Sequence, residues 1–339
     1  MKKTLTAVAV LGAFAGSVAA QSSVTLYGVA DAAVERIKGV NSLTRITSGQ
    51  QFGSRWGLRG TEDLGGGLKA IFQLESGFNI DTGTSGQGGA LFGRQAYVGL
   101  AGGFGAVRLG RQYSPMDDVA GMVGTKVYDV LSVVPIIGNG DYNRVNNAVT
   151  YLTPNFGGFT AQVQYSLGAE NPNTNTSKDF QKQYSMHAMY SGGPFSAGLS
   201  LMRVIDSNGT TAGKQDIDAV LAVAAYDFGF AKFTGYFDQE DKLPGTAKMK
   251  VYGLSAAIPF GSTTLALGAA QAKNVNGSAA SGDDANLFTV QVTHNLSKRT
   301  ALYAHFTAVD NDSAAALGFN SPSAGSNSNG VQFGIRHRF

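Results

Sequence analysis

Polar and apolar residues alternate one by one through segment after segment of this chain. Phe159-Thr160-Ala161-Gln162-Val163-Gln164-Tyr165-Ser166 is the clearest case, with apolar odd positions and polar even ones. Phe195-Ser196-Ala197-Gly198-Leu199-Ser200-Leu201, Phe288-Thr289-Val290-Gln291-Val292-Thr293 and Leu302-Tyr303-Ala304-His305-Phe306-Thr307 repeat it. A period of two belongs to a β-strand whose two faces meet different surroundings. The last segment behaves alike: Val331, Phe333, Ile335, His337 and Phe339 share one face, and Gln332, Gly334, Arg336 and Arg338 the other. A soluble sheet stopping on a bare aromatic leaves an edge that frays and recruits other strands. A closed barrel in lipid has no such edge. Asp216 to Asp227 and Gly93 to Leu100 keep the segment length but blur the alternation.

About sixteen segments of about ten residues fit the chain, an even number as expected of a single-chain bacterial barrel. Expected starts are Val24, Arg55, Leu68, Gly93, Phe104, Asn146, Phe159, Gln183, Phe195, Gln215, Ala231, Lys248, Thr263, Ala285, Arg299 and Ser328. Connections alternate in length. Short ones at Glu62 to Gly67, Pro154 to Gly158, Gly192 to Pro194 and Pro259 to Gly261 read as periplasmic turns. Ser/Asn/Gly-rich ones at Asn79 to Gly89, Gly168 to Phe180, Val275 to Asp284 and Asp310 to Asn327 read as external loops. The predicted fold is all-β: a transmembrane antiparallel β-barrel of about 16 strands.

Composition agrees with that fold. The 339 residues include 46 glycines, 8 prolines and no cysteine, which suits many tight turns and a wall made rigid by closed hydrogen bonding rather than disulfides. Mean hydropathy lies near zero, the average of a half-lipid, half-water strand. Met1-Lys2-Lys3, followed by the small apolar stretch Leu5 to Ala20, predicts a secretory signal peptide over residues 1–20, removed before Gln21. Residues 21–339 then form one barrel domain. Net charge is only +3, so the placement of charge must speak for partners.

One connection differs from the polar loops. Residues 112–143 hold Pro115, Met116, Val119, Met122, Val123, Tyr128, Val130, Leu131, Val133, Val134, Pro135, Ile136 and Ile137. So apolar a loop should not lie on an outer surface. It is expected to pack inside the barrel as a pore loop, and its length argues for function.

Arginine on the lipid face at the bilayer midplane costs about 2–4 kcal/mol, so mid-strand arginines should face the lumen. Arg55 and Arg59 lie opposite Trp56 and Leu58 in alternation. Arg144 shares the even face against Val149 and Tyr151, and Arg108 lies between Val107 and Leu109. Arg94 is luminal if Tyr97 faces lipid. These arginines are either solvated wall residues or a cationic screen across the narrowest section. At about 4 Å a unit-charge pair is worth about 1 kcal/mol in bulk water and about 4 at an effective dielectric of about 20. Asp117 and Asp118 in the long connection either face the arginines across the pore or cap turns within the loop.

Taken together, several motifs carry a resemblance. They are Ser23-Val24-Thr25-Leu26-Tyr27-Gly28, the run Ser54 to Ala70 beginning Ser54-Arg55-Trp56-Gly57, Gly93-Arg94-Gln95-Ala96-Tyr97-Val98-Gly99-Leu100, Leu109-Gly110-Arg111-Gln112, and the closing Gly334-Ile335-Arg336-His337-Arg338-Phe339. The chain resembles the general trimeric porins of Gram-negative outer membranes, in particular the anion-selective branch typical of beta-proteobacteria. The resemblance implies a homotrimer in outer-membrane lipid and lipopolysaccharide, with a third external loop folded into the pore. It implies that Arg55, Arg94 and Arg144 line the constriction, and that Phe339 is the signal read by the barrel-assembly machinery. Small anions and hydrophilic solutes are the expected cargo; no nucleic acid, metal or cofactor is expected.

Other classes fare worse. An enzyme needs a base beside a nucleophile or paired carboxylates, yet His187, His294, His305 and His337 are scattered over different segments, with no metal-ligand spacing. His294 and His337 are expected on the lipid face. A substrate-specific channel or a surface-binding barrel is the alternative, but Tyr113, Tyr128 and Tyr303 are too few for an aromatic slide. Gly65-Gly66-Gly67 lacks the Lys-Ser/Thr of a phosphate cradle and reads as a turn.

Overall fold

The computed structural model describes residues 23–123, 143–168, 180–205, 216–241, 247–277, 282–319 and 322–339. The expected signal peptide (1–20) and positions 124–142 of the expected pore loop, Tyr128 included, lie outside the described residues. The strands are β1 (Ser23–Lys38), β2 (Ser42–Ser48), β3 (Arg55–Gly65), β4 (Leu68–Gly77), β5 (Gln95–Gly102), β6 (Gly105–Tyr113), β7 (Arg144–Leu152), β8 (Phe159–Ser166) and β9 (Lys182–Gly192). They continue as β10 (Phe195–Ile205), β11 (Ile217–Asp227), β12 (Lys232–Asp241), β13 (Met249–Phe260), β14 (Thr263–Lys273), β15 (Ala285–Asn295), β16 (Thr300–Asn311) and β17 (Ser328–Arg338). One helix, α1 (Pro115–Ala120), follows β6.

Every strand pairs antiparallel with its sequence neighbour, apart from β2 and β3, and β17 returns to β1 with Arg338 opposite Val29, so the sheet closes. Seventeen strands fill sixteen wall positions, because β3 takes the first half of one edge of β1 (Leu26 opposite Leu58) and β2 the second half (Ile37 opposite Leu43). β2 escaped the sequence reading for a physical reason. Its only large apolar residues, Leu43 and Ile46, are three apart and face opposite sides, so no period of two shows.

Alternation sorts the wall as expected over most of its circumference. On β8, Gln162 and Gln164 are buried inward while Val163 is 54% exposed outward. Leu254, Phe288, Leu302 and Phe333 are exposed outward likewise, which only a lipid surround makes favourable. His294 and His337 are exposed near the short-turn end, where their Nδ1 atoms lie 2.8 Å from Thr263 Oγ1 and 2.9 Å from Thr300 Oγ1. Short turns are tied by side chains that mimic the backbone: Asp63, Asn155 and Asp227 each accept, through Oδ1, from the amide of a following glycine.

The wall departs from polar-inside at one sector. Met202 and Val204 on β10, Leu221 and Val223 on β11 and Val251 on β13 point inward and form one cluster with Met116, Val119 and Val123 at the start of the long connection. That explains the blurred alternation of Asp216 to Asp227: this inner face is greasy because α1 docks on it.

The barrel seam depends on a close approach. Gly28 and Phe339 exchange backbone hydrogen bonds of 3.0 and 3.1 Å. A Cβ on Gly28 would fall 2.2 Å from Cζ of the Phe339 ring. Gly28→Leu is therefore expected to unseat the terminal ring and lower the yield of membrane-inserted barrel several-fold, whereas Val24→Leu on the same face should insert normally. Fractionation of outer membranes with quantitation of the folded form checks this.

Candidate pore constriction

The candidate constriction is built from the loop inward. Ser114 caps α1, its Oγ accepting from the Asp117 amide at 3.3 Å, and Pro115 opens the helix with its preset φ. Asp117 and Asp118 sit in the first turn, where the partial positive charge of free amides favours carboxylates. Met116, Val119 and Ala120 are buried against the inner face of β8 to β11. His187 on β9 clamps the helix from the wall: its Nδ1 lies 3.1 Å from the Pro115 carbonyl oxygen and 3.7 Å from Asp118 Oδ2.

Facing the helix is a cavity of about 580 Å³ lined by Arg55, Arg94, Arg144, Tyr113, Asp117 and Asp118 among others. Of the two readings of the acids, the turn is capped by Ser114 rather than by either carboxylate, and both acids share the cavity with the arginines. Arg94 Nε donates to Glu75 Oε1 at 2.8 Å, and both side chains are almost wholly enclosed. Arg94 Nη2 donates to the Tyr113 hydroxyl at 2.5 Å and Arg144 Nη2 donates to the same oxygen at 3.2 Å. Arg144 also lies 4.9 Å over the Tyr113 ring. Arg59 and Arg108 stand nearer the short-turn end, outside that cavity, 5.2 Å over Tyr27 and 4.9 Å over Tyr97. Such stacking is worth about 0.5–1 kcal/mol at exposed sites and fixes each guanidinium against the wall.

Two premises about direction need correction. Tyr97 faces the lumen, its hydroxyl donating to Gln73 Oε1 at 3.1 Å, so it does not face lipid. Arg94 still points inward because it precedes β5 and is outside that strand's alternation. Parity does not carry from Val149 back to Arg144 either, because Asn147 has φ 51 and the β6/β7 register shifts between Gly110 and Gln112. Arg144 reaches the cavity through that irregular entry to β7.

Sequence reasoning missed the supports. Glu75 could have been found on the polar face of Gln73 to Gly77. Tyr27, Tyr97 and Tyr113 act as platforms for arginines rather than as a slide for solutes. The segment between β2 and β3 also turns into the lumen. Asp31 accepts from the Gln51 amide at 3.1 Å, the Phe52 amide at 2.9 Å and the Tyr303 hydroxyl at 2.5 Å, and so pins Phe52 into the pore.

The two acids confer a pH dependence with a definite sign. Enclosure pushes the Asp117 carboxyl up to about 7, with the Asp118 charge adding to the rise and Arg144, Arg94 and Arg55 opposing it. Enclosure likewise pushes Asp118 up to about 6, against Arg108. Because the Asp118 side chain is 41% open to the pore, Asp117 should dominate. Above about 7 the carboxylate offsets an arginine; below it the neutral acid does not. Anion preference is expected to rise as pH falls through that range, and Asp117→Asn should flatten the profile. Reversal potentials at one salt gradient and stepped pH check this, and a preference that climbs with pH would refute it.

A closed barrel, greasy outside and mostly polar within, is the architecture of an outer-membrane channel. The chain belongs to the Gram-negative porin family, whose model matches residues 7–314. It is 36% identical to outer membrane porin protein 32 of Delftia acidovorans, over the full length of both chains. It is 32% identical to an outer membrane porin protein of Bordetella pertussis, again over the full length of both. Among solved structures, an anion-selective porin from Comamonas acidovorans superposes with a TM-score of 0.79 at 33% identity, covering 94% of this chain and 100% of that one. A loop-deletion form of OmpT from Vibrio cholerae shares the fold, with a TM-score of 0.67 at 18% identity over 94% of this chain and 99% of its own. The protein is an outer-membrane porin.

Proposed function

We propose that the barrel passes small hydrophilic solutes by passive diffusion and favours anions, through a constriction screened by Arg55, Arg94 and Arg144. The observation that carries this is their convergence on one cavity opposite α1. The anion-selective porin from Comamonas acidovorans supports it by its likeness over nearly the whole chain. Glu75 offsets Arg94 directly, so the effective field comes chiefly from Arg55 and Arg144, with Arg59 and Arg108 behind them. Residues 1–20 serve as the export signal, Phe339 as the assembly signal, and most of 112–143 as the pore loop.

The working assembly is a homotrimer in lipid and lipopolysaccharide. Aromatic rings crowd the outer rim near β8 to β12, with Phe159 4.5 Å from Tyr190 and Tyr226 4.6 Å from Phe228. Small residues, Gly28, Ala30 and Ala32, take the outward positions in the middle of β1, between Leu26 and Val34, as befits a patch covered by protein rather than lipid.

Reversal potentials of the purified protein in planar bilayers, across a chloride salt gradient, test the reading. Anion preference is expected, weakening as salt rises and the screening length falls below about 10 Å. A cation-preferring wild type would overturn it.

A further inference from the structure

The outward face of β1 changes character at its loop end. Val34, Arg36 and Lys38 alternate with the buried Glu35 and Ile37, so all three point outward. Arg36 stands opposite Thr44 on β2 and Val331 on β17, and Lys38 opposite Ser42 and Asn329. Both cations, both hydroxyls and the amide are exposed. Directly opposite residues lie about 5 Å apart and residues two apart on one strand about 7 Å, so these groups form one patch. One step toward the middle of the wall the surface turns apolar. Val34 stands opposite Ile46 on β2 and Phe333 on β17, and all three are exposed.

Neither Arg36 nor Lys38 is in an ion pair among the described residues. Other cations toward the same end do meet carboxylates. Arg203 Nη2 lies 2.9 Å from Asp216 Oδ2, Lys248 Nζ 3.3 Å from Asp241 Oδ2, and Lys273 Nζ 3.3 Å from Asp284 Oδ2. Two neighbouring cations without a carboxylate repel each other, and an anion between them relieves that. A guanidinium offers a phosphate two parallel donors, and an ammonium adds a point charge. A phosphomonoester carries close to two negative charges, matching two cations, where a phospholipid diester carries one. Hydroxyl and amide side chains both donate and accept, as sugar hydroxyls require. A lipid with a phosphorylated sugar at one end and acyl chains at the other matches these two rows in their order along the wall.

We propose that the loop end of β1, with its neighbours on β2 and β17, is a seat for a phosphate of the lipopolysaccharide in the outer leaflet. Arg36 and Lys38 take the phosphate, Ser42, Thr44 and Asn329 the sugar, and Val34, Ile46 and Phe333 the first part of an acyl chain. The seat rests on the reading that the barrel works in lipopolysaccharide, and gives that partner a place. It begins where the small residues of β1 end, so it borders the patch left to a neighbouring protomer.

Native mass spectrometry of the purified protein in detergent, with diphosphorylated lipid A as the probe, tests this. One lipid A per chain is expected to stay bound, with phosphatidylglycerol at least about tenfold weaker. Excess inorganic phosphate should not displace it, because the free ion lacks the sugar and the acyl chains. Arg36→Gln/Lys38→Gln should weaken lipid A binding about tenfold. Lys248→Gln/Lys250→Gln, which removes as many cations toward the same end, should not. Ser42→Ala/Thr44→Val keeps every charge and should weaken binding several-fold, and it decides if the charge variant does not insert. Equal binding of phosphatidylglycerol, displacement by inorganic phosphate, unchanged binding in the β1 and β2 variants that insert, or equal weakening in Lys248→Gln/Lys250→Gln overturns the seat and leaves lipopolysaccharide as the surround. A folded wild type that retains no lipid A overturns the lipopolysaccharide reading beneath it.

Discussion

The double replacement Arg55→Gln/Arg144→Gln is expected to abolish most of the anion preference while leaving the barrel folded. Both guanidiniums line the constriction cavity. Neither is in an ion pair with a wall carboxylate among the described residues, whereas Arg94 is locked to Glu75. A unit charge at about 4 Å is worth about 1 kcal/mol even in bulk water. It attracts an anion and repels a cation by the same amount, so removing one charge shifts the ratio by about 2 kcal/mol, about thirtyfold. Salt screening reduces this, which is why low salt is the sensitive condition. Reversal potentials in dilute potassium chloride should therefore move to near zero or to the cation side in the double variant.

Arg94→Gln alone is a poorer experiment. It takes the arginine from the enclosed Glu75, at a cost of about 3–5 kcal/mol for a broken buried pair, and leaves a negative charge beside the arginine cavity. Arg94→Gln/Glu75→Gln removes both charges and should leave selectivity close to wild type. If Arg55→Gln/Arg144→Gln kept full anion preference, the screen would have to lie elsewhere along the lumen.

The strands were legible because lipid and water impose opposite demands on successive residues. Each expected start falls within two residues of an observed one, from Val24 against Ser23 to Ser328 itself. What alternation cannot give is which residues meet across strands. Glu75 reaches Arg94, and Arg59 reaches the Tyr27 ring, only through the register of neighbouring strands. Local breaks were illegible for the same reason, since the positive φ of Asn147 leaves no trace in polarity. α1 did leave a signal: Ser114-Pro115-Met116-Asp117 holds a capping hydroxyl, a first-turn proline and a first-turn acid in the order a helix start requires. The greasy inner face of β11 was visible too, as the loss of alternation from Asp216 to Asp227, and its meaning required the helix that covers it.

Gly198→Leu is expected to push that helix off its seat and lower the single-channel conductance. Gly198 faces inward on β10, directly under the loop. A Cβ there would stand 2.7 Å from Met122 Sδ and 3.2 and 3.3 Å from the two Val119 methyl carbons. Overpacking of this kind costs about 1–3 kcal/mol, and the softer partner yields. The wall is tied on both sides, with Gly198 opposite Met189 on β9 and Val223 on β11, whereas α1 is one short helix held by an apolar face and His187. The helix should therefore move toward the pore axis, narrowing the lumen and bringing Asp117 and Asp118 closer to Arg55 and Arg144. Insertion into membranes should be unaffected, because the outward face and the ladder are untouched. The nearest atom belongs to the flexible end of Met122, so Gly198→Leu/Met122→Ala should recover part of the lost conductance, and that rescue separates displacement of the helix from damage to the wall. Wild-type conductance in Gly198→Leu would mean that α1 does not set the bore.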